Sequence, residues 1–94
     1  MQLQQLRYFT AVAELGNFTR AAEELYLAQP SLSRQIAALE QDLGAELFHR
    51  ARGGSTLTVA GESLLPLARR MLADADSVRR ELAELAERAP APVA

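Results

Sequence analysis

The chain has 94 residues, 12 of them acidic against 10 basic, for a formal net charge of -2; this bounds it to one small domain with an appended helix at most. It has no cysteine and a single histidine, which excludes a disulfide scaffold, a thiolate zinc site and a cysteine nucleophile, and no cofactor or metal is expected. No apolar run approaches the roughly 18 residues of a membrane span, and no basic start leads into an apolar block, so a cytoplasmic setting is expected.

Leu3, Leu6, Phe9, Val12 and Ala13 recur at helical spacing and predict a first helix ended by Gly16. Asn17 or Thr19 suits the cap of a short second helix carrying Ala21, Ala22 and Leu25. A four-residue break, Tyr26 to Gln29, leads to a third helix that begins at Pro30, runs to Leu43 and stops at Gly44. Two strand-like pieces follow, Leu47 to Arg50 and Thr56 to Thr58. The glycine pair in Ala51-Arg52-Gly53-Gly54-Ser55 makes the stretch between them a hairpin turn. Thr58 caps a long fourth helix over residues 59–88, with Pro66 expected to kink it, and Pro90 and Pro92 end it in an extended tail.

The weak net acidity hides a local pattern. From Leu25 to Leu39 the only charge is Arg34, and from Leu47 to Val59 the only charges are Arg50 and Arg52, with His49 beside them. A polyanion responds to such patches and not to the mean charge. On the third helix, Leu32, Ile36, Leu39 and Leu43 form one apolar stripe. The opposite face holds Pro30, Arg34, Ala37, Ala38 and Gln41, with Ser31 and Ser33 at its edges. A helix entering a DNA major groove needs such a face: bulk would hold it off, carboxylates would meet phosphates, and hydroxyl, amide and guanidinium groups reach base edges. The same face also reads as solvated surface that happens to be small. The short helix, turn and amphipathic helix before it tilt the balance, because together they make a helix-turn-helix whose crossing is eased by Ala21 and Ala22.

At this point a resemblance becomes specific. Leu6-Arg7-Tyr8-Phe9, the run Gly16 to Leu25, the run Gln29 to Ile36, Leu39-Glu40, Leu43-Gly44, Leu47 to Arg50 and Leu57 to Gly61 stand in the order found in LysR-type transcriptional regulators. The chain resembles the amino-terminal domain of that family over about residues 3 to 85. The resemblance implies a mostly α fold: a winged helix-turn-helix (1–58) of three helices and a β-hairpin wing, a long dimerisation helix (59–88), and a Pro/Ala-rich hinge or tail (89–94). It implies sequence-specific binding of double-stranded DNA, with the third helix in the major groove and the wing on the minor groove or backbone. Gln29, Pro30, Ser31, Ser33 and Arg34 become the groove-facing set, and Gln29, ahead of the helix, is placed to reach a base or phosphate. Thr19 resembles a phosphate contact, although a plain helix cap explains it equally. Arg50 and Arg52 fall on the wing, where Gly53 and Gly54 let the tip approach DNA closely; a solubilising loop is the plainer reading. His49 reads as a structural strand residue. Tyr26 departs from helix-turn-helix expectation, since that turn favours positive φ and hence Gly, Asn or His.

Leu64, Ala68, Met71, Ala75, Val78, Leu82 and Leu85 form a heptad stripe on the fourth helix. A second copy covering it would remove an exposed apolar patch, while the first turns, with Leu64 and Leu65, are expected to pack on the chain's own domain. The resemblance implies antiparallel pairing of linker helices, an interrupted inverted repeat as the DNA site, and higher oligomers in a longer protein. The family continues into an effector-binding domain; this chain, ending at Ala94, reads as a DNA-binding fragment in which no small-molecule site is expected. The alternative from another class is a helical dimerisation or adaptor module that does not bind DNA. An enzyme has no support: no convergent Asp, His, Ser or Cys set and no phosphate-binding Gly loop is present.

Overall fold

A computed structural model describes residues 1–88; the expected tail and its prolines lie outside the described residues. The order is α1 (Leu3–Leu15), α2 (Phe18–Glu24), α3 (Gln29–Leu43), β1 (Phe48–Ala51), β2 (Gly54–Leu57) and α4 (Val59–Arg88). The winged helix-turn-helix with a trailing helix is therefore the observed fold.

Helix α1 ends at Gly16, whose φ of 64° lets its N–H return to the Val12 carbonyl at 2.8 Å. Asn17, not Thr19, caps α2: its Oδ1 accepts from the Arg20 N–H at 2.9 Å. The helix-turn-helix turn takes the positive φ that such a turn needs, 57° at Tyr26, even though the residue carries a ring. The ring is 96% exposed, so the local Cβ–backbone clash is the whole cost, about 1–2 kcal/mol. Helix α3 begins one residue earlier than expected. Gln29 is its first residue and Ala28 its cap, and Pro30 sits in the first turn, where a missing donor is harmless.

Leu32, Ile36 and Leu39 of α3 are fully buried, each contributing about 1.5–3 kcal/mol. They pack against Leu6, Phe9 and Val12 of α1 and Phe18, Ala21 and Ala22 of α2. Two expected core positions lie outside: Leu3 and Leu43 are each 40% exposed, because they sit beyond the reach of the neighbouring helices at the element ends. Phe48 links the wing to the core, its ring 5.4 Å from both Phe9 and Phe18.

The wing is tighter than the sequence suggested. β1 and β2 pair antiparallel with Phe48 opposite Leu57 and Ala51 opposite Gly54, so the turn is only Arg52-Gly53, and Leu47 is core rather than strand. Thr58 does cap α4, its hydroxyl accepting from the Gly61 N–H at 3.0 Å and donating to the Glu46 carbonyl at 2.6 Å. Helix α4 runs without a break through Pro66 to Arg88. Its first half belongs to the domain core. Ala68 is fully buried, and Leu64, Leu65, Met71 and Leu72 pack against the same cluster. An exposed ion pair, Arg69 to Glu14 at 3.6 Å, lies along the α1–α4 contact.

Candidate nucleic-acid interface

Because Leu32, Ile36 and Leu39 turn one face of α3 inward, the opposite face is fixed outward. Pro30, Arg34, Ala37, Ala38 and Gln41 are exposed and Ser31 and Ser33 half-buried, as the spacing predicts, and Gln29, which the spacing left ahead of the helix, is exposed as its first residue. The nearest acid, Glu40, is turned to structural use: its Oε2 accepts from the Leu47 N–H at 2.7 Å and holds the segment leading into the wing. The outward face therefore carries one guanidinium, Arg34, and no carboxylate up to Glu40. Arg34 Nη2 lies 3.5 Å from Ser31 Oγ, a contact long enough to release for a stronger acceptor.

Thr19 is the second residue of α2 and exposed. With Asn17 serving as cap, the Thr19 hydroxyl is not needed for capping, and it lines a cleft of about 220 Å³ with Gln29 of α3 and Arg50, Ala51 and Gly53 of the wing. The two wing arginines, equivalent in the sequence, differ in place. Arg52 stands exposed in the turn. Arg50 leans inward, its guanidinium carbon 3.8 Å from the centroid of the Phe18 ring and its Nη1 3.3 Å from Ser33 Oγ. The Phe18 platform and the Ser33 hub were not recognised from sequence. The only signal was an aromatic residue directly after a capping asparagine, which by itself points equally to core.

Gly54 has a structural role besides any approach to DNA. A Cβ there would lie 2.9 Å from the Gly16 carbonyl oxygen, which accepts from the Ser55 N–H at 2.9 Å, so the close approach that pins the wing to the end of α1 requires glycine. His49 is exposed on β1 opposite Thr56. Along α4, Leu64, Ala68 and Met71 are engaged by the chain's own core, Ala75 is half-covered, and Val78, Leu82 and Leu85 are 53%, 60% and 55% exposed. The heptad thus splits into an inner half that is satisfied and an outer half that is open. No helix among the described residues is long and apolar enough to cross a membrane.

The chain as a whole is similar to known proteins. Residues 3–62 match the family described as bacterial regulatory helix-turn-helix protein, lysR family. The chain is 56% identical over 72 residues to the HTH-type transcriptional regulator ClcR of Pseudomonas putida, covering 77% of this chain and 24% of ClcR. It is 52% identical over 73 residues to the HTH-type transcriptional regulator TfdT of Cupriavidus pinatubonensis, covering 78% of this chain and 32% of TfdT. It therefore spans a third or less of these relatives. Among solved structures, a CbnR DBD–DNA complex superposes with a TM-score of 0.88 at 44% identity, covering 92% of this chain and 99% of that one. A complex of the BenM DBD with catB site 1 DNA gives 0.88 at 40% identity, covering 92% and 97%. With the family match extending over more than half of its length, and with sequence relatives and structural neighbours agreeing on one fold, the chain belongs to the LysR family of bacterial regulatory helix-turn-helix proteins.

Proposed function

We propose that this chain binds double-stranded DNA sequence-specifically as a homodimer, as the DNA-binding part of a longer cytoplasmic transcriptional regulator that assembles into higher oligomers. The observation that carries this reading is the outward face of α3, small, polar and acid-free around Arg34, flanked by a wing that presents Arg52. The DNA complexes of CbnR and BenM, at 44% and 40% identity, support it. Residues 1–58 supply the DNA contacts and residues 59–88 the dimer helix, the first turns of which also brace the domain. Helix α3 lies in the major groove with Gln29, Pro30, Ser31, Ser33 and Arg34 toward the bases. Thr19 and Arg52 hold the backbone, and Gly54 keeps the wing low. We assign the chain no catalytic step, cofactor or small-molecule ligand. Selection of bound sequences from random duplexes tests the reading: an interrupted inverted repeat is the expected product, and recovery of no sequence from the pool would leave a dimerisation module instead.

Arg34 centres the outward face, and a guanidinium grips guanine O6 and N7 together. Arg34→Ala is expected to cost about 1–3 kcal/mol on the preferred duplex and to relax one base position in each half-site. Titrations on preferred and random duplexes check this, and equal losses on both would assign Arg34 to a phosphate. Arg52, at a turn that offers charge and little to read bases with, is expected to act on every sequence alike. Arg52→Ala should flatten the dependence of log affinity on log salt by about one unit for each phosphate that the guanidinium neutralises, and an unchanged slope would take Arg52 off the DNA.

A further inference from the structure

A serine hydroxyl has one proton to donate and two lone pairs to accept with. At Ser33 both lone pairs are occupied from within the chain. Gln29 Nε2 donates to Ser33 Oγ at 3.1 Å from one turn earlier in α3, and Arg50 Nη1 donates to it at 3.3 Å from the wing. Among the described residues, the Ser33 proton goes to no protein acceptor. Arg50 is held in this position from below. Its guanidinium lies over the Phe18 ring at 3.8 Å, and that buried ring stands edge-on to Phe48, 5.4 Å away, in the domain core. The planar guanidinium suits stacking and fixed-direction donation at once, which an ammonium does not.

We propose that Arg50 and Gln29 make Ser33 a hydrogen-bond donor only, so that position 33 selects an acceptor on the DNA and rejects an amino group. This rests on the DNA-binding reading above. In the major groove the acceptors are guanine O6 and N7, adenine N7 and thymine O4, whereas cytosine presents only its amino donor. A serine with free lone pairs accommodates either kind of edge by rotating its hydroxyl. With its lone pairs filled it repels an approaching amino group, and cytosine is excluded from the base it faces. Arg50 is in this sense a positioning residue, whose effect on base choice passes through Ser33.

The test is competitive selection from random duplexes with the wild-type chain, Ser33→Ala, Arg50→Met and the double variant, alongside salt titrations. Methionine keeps an apolar stem over Phe18 and cannot donate. In the wild type, one position per half-site should disfavour cytosine by about threefold to tenfold, the worth of one hydrogen bond. Ser33→Ala and Arg50→Met should each relax that same position, and the double variant should relax it no further. Base ratios come only from DNA that bound protein recovers, so loss of folded protein does not move them. Wild-type tolerance of cytosine at every position that Ser33→Ala alters would overturn the proposal. So would an Arg50→Met variant that lowers affinity and salt slope while leaving the base ratios as in the wild type, the pattern of a phosphate contact. If the wild-type chain recovers no sequence at all, the DNA-binding reading itself fails, a result distinct from either of these.

Discussion

Gly61→Ala is expected to destabilise this domain by about 1–3 kcal/mol, although the same replacement inside an ordinary helix gains about 1 kcal/mol. Gly61 lies in the first turn of α4, where the helix passes directly over the end of the segment that feeds the wing. A Cβ built there falls 2.3 Å from the Leu47 carbonyl oxygen and 2.8 Å from Leu57 Cδ2. The leucine side chain can shift; the carbonyl cannot easily. It accepts from the Thr58 N–H at 3.0 Å, and the Leu47 N–H is itself held by Glu40 at 2.7 Å. Relief of the clash must therefore lift α4 off the domain or break the bonds that set the wing. Small domains have about 5–15 kcal/mol of stability, and for one of this size each 1 kcal/mol moves the melting temperature by about 4–8 °C, so thermal unfolding reads the effect directly. A variant that melts at or above the wild-type temperature would mean that α4 rides higher over Leu47 than it does here.

Much of this arrangement could be read from residues alone, for identifiable reasons. Stops and caps are local chemistry, and Gly16, Gly44 and Thr58 fall where their side chains, or the lack of one, dictate. The inward face of α3 followed from its period, and its outward face followed with it. What escaped was tertiary. Leu43 shares the period of Leu32 and Leu39 yet stands 40% exposed, because it is the last residue of α3 and lies at the edge of the core that buries the other two. The heptad on α4 is continuous in sequence, but Ala68 is claimed by the core and Val78 is not, a division set by how far the rest of the domain reaches along the helix. Arg50 and Arg52 look alike as two charges on a glycine-rich hairpin. The register places Arg50 on a strand facing Ser55 and Arg52 in the turn, and only the first has Phe18 beneath it. Tyr26 shows the reverse case, a side chain that argues against positive φ in a turn that the flanking helices impose.

The open half of the α4 stripe carries the second large expectation. Val78, Leu82 and Leu85 follow one another at steps of four and three on the last turns of a 30-residue helix, and among the described residues each stands more than half exposed. A second copy laid along this stripe would bury it, and would hold two winged domains so that each α3 meets its own half-site, with half-sites separated by near-integral helical turns. Val78→Glu and Leu82→Glu each place a carboxylate at the seam of both helices without a partner, at a cost of several kcal/mol to the dimer. Both variants should sediment as monomers, keep the melting behaviour of the winged domain, and lose most affinity for the full site while retaining weak binding to a half-site. Ala75→Glu should act in the same direction, but Ala75 is half-covered within the chain, so part of its cost would fall on the monomer. Arg79→Glu is the control. Arg79 borders the stripe without lying on it, its side chain is 66% exposed, and it forms a 3.7 Å surface pair with Asp76, an interaction worth about 0–1 kcal/mol, so its reversal should disturb the dimer far less than a carboxylate at the seam. If Val78→Glu and Leu82→Glu both remain dimeric at micromolar concentration and bind the full site as the wild type does, the seam lies elsewhere and the outer half of α4 has another purpose.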